Sequence, residues 1–299
     1  MIVVGNVIAG GAGKTPTVIS IAQHLTAQGL KVSVVSRGYG RKQRDVRGVH
    51  VSSTPHEVGD EPLLIFNKAQ CPVFVGSNRY DAACAMLKAH PQIDVILCDD
   101  GLQHYSFHRN FEVLVFDDRG IGNGWLLPAG PLREPWPRHL VGKSGQTAKA
   151  CITLHTGKQP AFAGFRAHRS LAPHALSSTG QRVSLDLPAA SADKPLFALA
   201  GLAQPQAFFD MLAELKVPLA GTLALPDHFD FKSLDPSLNR TYTLLCTEKD
   251  AAKLWPIAPQ ALAVPLVQQI EEGFWQALDA GIGLTRNGPL SSAHGHKTA

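Results

Sequence analysis

The sequence predicts an α/β protein: a doubly wound, mainly parallel sheet followed by a second, smaller α/β domain. Three observations carry that prediction. A glycine loop, GGAGKT at 10–15, stands between the apolar run Ile2–Val4 and the amphipathic stretch Thr17–Gln28. Short apolar runs then alternate with helix-period segments through the first half, which is the pattern of βαβ units. Composition shifts at 157–195, a stretch rich in Ala, Ser, Pro and His, before a second α/β rhythm begins.

In chain order, strands are expected at Ile2–Val4, Val32–Val35, Pro72–Val75, Val95–Cys98, Val113–Phe116 and Cys151–Leu154, each a short run of apolar residues. Helices are expected at 16–28, 60–70, 79–90 and near 136–142. Past the compositional shift, Phe162–His168 and Arg182–Leu187 open the second domain as strands. Leu196–Ala200, helix 205–215, Tyr242–Cys246, helix 248–254, Ala263–Leu266 and helix 271–280 follow, with a frayed tail from Thr285. The expected division is therefore 1–157 and 158–299, with a cleft between the two parts. Nucleotide should bind at the carboxyl ends of the strands of the first sheet.

The glycine loop supplies the first chemistry. Gly10, Gly11 and Gly13, with Ala12 between them, let backbone N–H groups converge on phosphate oxygens because no Cβ obstructs the approach. Lys14 would reach the β- and γ-phosphates and the Thr15 hydroxyl would bind Mg²⁺, with the positive end of the helix dipole behind them. Pro16 suits the first helical turn, where its missing N–H costs nothing. The full phosphate-loop pattern asks for glycine at position 8, where this chain has Ile8. The loop is thus the shorter G-G-x-G-K-T form, and the first sheet is P-loop NTPase-like.

Composition sets limits on the rest. Across 299 residues, 44% are hydrophobic and 17% charged, so a large core can form and no disordered charged block is present. Five scattered cysteines without a C-x-x-C pair read as buried free thiols in a reducing compartment. No secretory leader is visible, and no run reaches the ~18 apolar residues that a bilayer span needs. A formal charge of +4 suits an anionic substrate or an anionic membrane surface and selects neither.

Further candidates cluster where the expected strands end. Asp99 and Asp100 close a buried-strand pattern, the place where a P-loop protein keeps a carboxylate for Mg²⁺. Asp60 and Glu61 stand at the start of a helix, where Asp60 serves either as an N-terminal cap or as a general base. Arg37 follows the second strand, where an arginine binds phosphate or is simply solvated. Arg133 and Glu134 lie in a loop with three prolines, LPAGPLREP at 127–135. His104 and His108 have i,i+4 spacing in a loop without a companion acid, and Asp227-His228 follows an apolar run in the second half.

Taken together these segments resemble the tetraacyldisaccharide 4′-kinase family of lipid A biosynthesis. The matching stretches are VVGNVIAGGAGKTP (3–16), VVSRGYGRK (34–42), VGDEPLL (58–64), CDDGLQHY (98–105), GNGWLLPAGPLREP (122–135), LPDHFDF (225–231) and TEKDAAKL (247–254). The family's loop also lacks the first glycine. The resemblance implies transfer of the γ-phosphate of ATP to the 4′-hydroxyl of a lipid-linked glucosamine disaccharide 1-phosphate, with Mg²⁺. By that match Lys14 and Thr15 hold triphosphate and metal, Asp99 and Asp100 complete the metal side, and Asp60 is the base assisted by His228. Gln103, His104, Arg133 and Glu134 line the acceptor region, with Arg37 and Arg79 contributing. It also implies peripheral association with the cytoplasmic side of a Gram-negative inner membrane, without nucleic acid or an obligate protein partner. Family members carry an apolar helix ahead of the first strand, whereas here that strand starts at Met1.

Two other classes fit parts of the pattern. A nucleotide-driven switch or partitioning ATPase shares the loop, but many of those have a lysine where this chain has Ala9, and no N-K-x-D motif is present. A kinase of a soluble sugar shares the chemistry without the acyl chains.

Overall fold

The apolar runs of the first half become strands that pair side by side, because each helical crossover returns the chain to the same end of the sheet. The computed structural model describes residues 1–105, 108–138, 150–185 and 194–284. The first half contains β1 (Ile2–Gly5), α1 (Lys14–Ala27), β2 (Val32–Ser36), β3 (Arg47–Gly48), α2 (Pro55–Val58), α3 (Asp60–Ala69) and β4 (Val73–Val75). It continues with α4 (Arg79–Ala89), β5 (Val95–Asp99), β6 (Phe111–Phe116) and β7 (Ala150–His155). The second half contains β8 (Phe165–Leu171), β9 (His174–Leu176), β10 (Arg182–Ser184), β11 (Leu196–Ala200), α5 (Pro205–Glu214) and β12 (Leu219–Ala224). After these come α6 (Pro236–Thr241), β13 (Thr243–Thr247), α7 (Glu248–Leu254), β14 (Leu262–Val264), β15 (Leu266–Ile270) and α8 (Glu272–Gly281).

Two sheets result. The larger runs β15-β8-β7-β6-β1-β5-β2-β4-β3. It is parallel from β4 to β8, with antiparallel strands only at its two edges. The smaller runs β10-β9-β14-β13-β11-β12, parallel from β14 to β12. β1, β2 and β6 are buried along their whole length, as strands covered on both faces must be. The face of α1 made by Val18, Ile21, Ala22 and Leu25 packs into the core beside β1 and β5.

The sheets do not divide at residue 157. β8 and β15 belong to the larger sheet although both come from the second half, so the strand expected at Phe162–His168 extends the first sheet and does not open a second. The strand expected at Ala263–Leu266 is two strands. Pro265 cannot donate a ladder hydrogen bond, so β14 ends before it in the small sheet and β15 begins after it on the large one. β12 was not expected. Its half-exposed alternation, Leu-Ala-Gly-Thr-Leu-Ala, suits an edge strand with small residues and a weak pattern. The helix expected near 136–142 and the end of the strand expected at Arg182–Leu187 run into 139–149 and 186–193, which lie outside the described residues, as does the tail from 285.

The closing helix α8 packs on β7 and β8 with Phe274 and Leu278 buried. Gly281 ends it where an added Cβ would stand 2.0 Å from the ring of Phe111. Gly281→Ala is therefore expected to destabilise the chain by about 1–3 kcal/mol through overpacking. A fall in the denaturant midpoint with an unchanged slope would register it.

Candidate active site

The loop from Gly5 to Gly13 takes positive φ at two glycines, Gly10 at 93° and Gly13 before the helix. Gly13 takes a left-handed φ of 84° as the residue before α1, a conformation that side-chain-bearing residues enter at a cost. The first N–H groups of α1 have no intrahelical acceptor and point out of its amino end. Outside side chains hold the loop carbonyls: Arg119 donates to Ala9 O and Gly11 O, and the Thr156 hydroxyl to Ala12 O. Within the loop, Asn6 Nδ2 donates to Gly10 O at 3.2 Å. Lys14 Nζ reaches Asn6 Oδ1 at 3.1 Å and pairs with Asp100 at 3.6 Å, with its side chain largely covered. Thr15 and Pro16 fill the first turn of α1, half-buried.

Asp99 is the last residue of β5 and lies beside β1 in register with Val4. Its Oδ2 accepts from the Ser36 hydroxyl at 3.1 Å, while its buried Oδ1 has no hydrogen-bond partner among the described residues. Burial, helped by the negative fields of Glu61 and Asp100, pushes this carboxyl up to about 7. Asp100 turns out of the strand with φ 47°. Burial alone would raise its carboxyl, but Lys14, Arg133 and Arg79 together hold it below the ordinary value. Arg133 Nη1 meets both Asp100 oxygens, at 3.0 and 3.2 Å, and Arg79 donates to the Asp100 carbonyl at 2.7 Å.

The acceptor-side candidates join this cluster. Gln103 Nε2 donates to Asn6 O and to Glu134 Oε1, and Glu134 also receives Tyr105 OH and Arg138 Nε. The His104 carbonyl accepts from Arg109, and burial with the nearby Arg79 and Arg109 charges lowers the pKa of its imidazole below the usual value. Arg37 stands exposed at the carboxyl end of β2, and no hydrogen bond or ion pair ties it to these groups.

Asp60 heads α3. Gly59, with φ 93° and its Cβ position 3.0 Å from Tyr39 O, links α2 to α3 where a larger residue would meet backbone. Asp60 Oδ1 accepts the Glu61 N–H, as a first-turn acid does, so the capping account holds in part. The same carboxylate also meets His228 Nδ1 with both oxygens at 3.0 Å, and its Oδ2 accepts from Lys253 Nζ at 3.0 Å. His228 takes φ 62° in the loop after β12 and packs its ring 5.0 Å from that of Tyr39. Burial opposes ionisation of Asp60, yet the His228 bond and the Lys249 and Lys253 charges hold it well below the usual carboxylate range. Glu61 links the two clusters, since it pairs with Lys249 at 3.3 Å and its field is felt at Asp99.

The family model described as tetraacyldisaccharide-1-P 4′-kinase, LpxK, matches residues 1–283. The chain belongs to this family. A tetraacyldisaccharide 4′-kinase from Polaromonas naphthalenivorans is 50% identical over 302 residues, covering all of this chain and 85% of the relative. One from Verminephrobacter eiseniae is 51% identical over 296 residues, covering 97% of this chain and 66% of the relative. The crystal structure of "apo" form LpxK from Aquifex aeolicus in complex with ATP superposes with a TM-score of 0.73 at 26% identity, covering 93% of this chain and 86% of that one. The P-loop kinase architecture expected from the sequence is thus shared with a solved 4′-kinase.

Several residues that hydrogen-bond or pair with these candidates were assigned no part in the site by sequence reasoning. Asn6 and Ser36 sit inside motifs quoted for the loop and the second strand, and Glu61 adjoins Asp60. Lys249 and Lys253 lie four apart in TEKDAAKL, a spacing that puts both on one helical face. Their helical period was legible. Their carboxylate partners, nearly two hundred residues earlier, were not.

Proposed function

We propose that this chain transfers the γ-phosphate of ATP to the 4′-hydroxyl of a tetraacylated glucosamine disaccharide 1-phosphate, giving the lipid A precursor. One observation carries the mechanism: Asp100 pairs with Lys14 at the glycine loop, and Asp60 pairs with His228 in a second centre that Glu61 links to the first. The loop from Gly10 to Pro16 binds the triphosphate, and the Lys14 ammonium neutralises charge that spreads over the transferred group. Arg133 and Arg79 fix Asp100, while Gln103, His104, Glu134 and Arg37 face the sugar acceptor.

The residues present fit Mg²⁺. Asp99 Oδ1 is a buried acceptor without a donor, Asp100 is ionised, and the Thr15 hydroxyl opens α1. Among the described residues no group of three His, Cys, Asp or Glu is arranged to hold a metal, which suits an ion that takes most of its oxygens from phosphate and water. Bound there with Thr15 and the Asp99–Asp100 carboxylates, Mg²⁺ would supply charge neutralisation for the phosphoryl group.

A sugar hydroxyl loses its proton late in such a transfer. Asp60 alone, held so acidic, is a weak base. Its hydrogen bond to His228 raises the imidazole above its ordinary 6.5, against the effect of burial, so the pair offers a proton site near neutral pH. The sign follows: protonation of His228 at low pH fills that site, and kcat/KM should fall as pH drops through a pKa above 6.5. His228→Ala is expected to lower kcat about 10²-fold and abolish this limb; wild-type rates would remove His228 from the mechanism.

The lipid acceptor places the reaction at the cytoplasmic side of a Gram-negative inner membrane, with peripheral contact and neither nucleic acid nor an obligate protein partner. Among the described residues no helix is long and apolar enough to cross a membrane. Trp125, Leu126 and Leu127 are exposed on the loop that leads into Arg133, a composition suited to acyl chains. Incubation with γ-labelled ATP and the disaccharide lipid tests the whole reading. Label should enter the lipid. Label appearing only as inorganic phosphate would indicate a nucleotide switch, and equal labelling of a fully deacylated acceptor would indicate a soluble-sugar kinase.

A further inference from the structure

We propose that Lys253 is a positioning residue for phosphoryl transfer: its ammonium fixes one oxygen of Asp60 and keeps the Asp60–His228 pair open to the acceptor's proton. The inference rests on the reading of Asp60 and His228 as the proton-accepting pair. Lys253 comes from α7, and its side chain is 8% exposed against 4% for Asp60, so the contact is removed from water. Its ammonium lies over the ring of buried Phe231, 6.0 Å from the centroid. From there the cation donates to Asp60 Oδ2 at 3.0 Å.

The other charges around Asp60 define what Lys253 adds. Asp227 and His228 come from the loop after β12, Glu61 from α3, and Lys249 from the preceding turn of α7. Lys249 pairs with Glu61 at 3.3 Å and Asp227 at 3.1 Å, and its charge acts on Asp60 from farther off. Lys253 is the lysine bound to Asp60 itself. Without it, Asp60 would face His228 with its negative charge less balanced, and a proton on the pair would be held more tightly. The pair would then be occupied at the pH where it must receive. Lys68 and Glu248 add a third contact of α3 with α7, at 2.7 Å, so Lys253 is not needed simply to dock the helices.

The test is the pH profile of Lys253→Met. With the intact chain, ATP and the lipid acceptor, kcat/KM should fall about tenfold near pH 7 and recover at high pH, the acid limb moving up by about one unit. Lys253→Arg should restore the wild-type profile, since it keeps the cation. Should Lys253→Met fail to fold, Lys253→Gln keeps a donor and removes only charge, and the same limb is read. A loss by one factor at every pH, or no loss, would overturn the proposal and leave Lys253 a packing residue. If instead Asp60→Asn and His228→Ala both ran at wild-type rate, the underlying reading would fail, and that result is separate.

Discussion

Lys14→Ala should lower kcat/KM by about 10³-fold or more and weaken ATP binding in the same variant. The two effects come from different consequences of one charge. In the proposed ground state the ammonium would make charge-assisted hydrogen bonds to phosphate, each worth about 1.5–3 kcal/mol, or roughly ten- to a hundredfold in Kd. As the phosphoryl group leaves, negative charge spreads over its oxygens, and a preorganised cation at that point stabilises the transition state further. Lys14 is preorganised here: Asn6 and Asp100 both hold its ammonium, and its side chain is only 12% exposed. Asp100 would keep Arg133 after the substitution, so the metal-side carboxylate should stay ionised and the fold intact. Calorimetric titration with ATP and steady-state kinetics separate the two losses. Unchanged nucleotide affinity would mean that the lysine serves the loop and not the phosphates.

What the sequence made legible follows how locally each feature is specified. GGAGKT compresses a strand, a left-handed turn and a helix start into six residues, so the loop was readable from them. Helix 248–254 was bounded correctly because Thr247 caps it through the Asp250 N–H, a signal written in the chain itself. β1, β2 and β6 were visible as predominantly apolar runs because both their faces are covered. The placement of β8 and β15 was not visible, since pairing between residues about a hundred apart, such as Leu171 with Leu266, leaves no local trace. The site obeys the same rule. Asp60, Lys14 and the Asp99–Asp100 pair announce themselves at strand ends and helix starts. Lys253 is an ordinary helix lysine until the fold sets it against Asp60.

Asp60→Ala should lower kcat by about 10³- to 10⁴-fold while leaving ATP affinity within about twofold. The contrast with Lys14 arises because no hydrogen bond or ion pair joins Asp60 to the glycine loop; its partners are Glu61 N, His228 and Lys253. Removing the carboxylate has a structural cost of its own. Lys253 and His228 would be left in a largely buried position without their anion, a loss on the order of 3–5 kcal/mol for a broken buried pair. Asp60→Asn keeps the shape and a hydrogen-bond acceptor with that charge removed, and so separates folding from chemistry. If the asparagine variant melts near the wild-type temperature yet turns over as slowly as the alanine variant, the negative charge is needed for proton acceptance. If either variant kept full turnover, Asp60 would be no more than a first-turn acid of α3, and the pairing with His228 would serve only to join the two sheets.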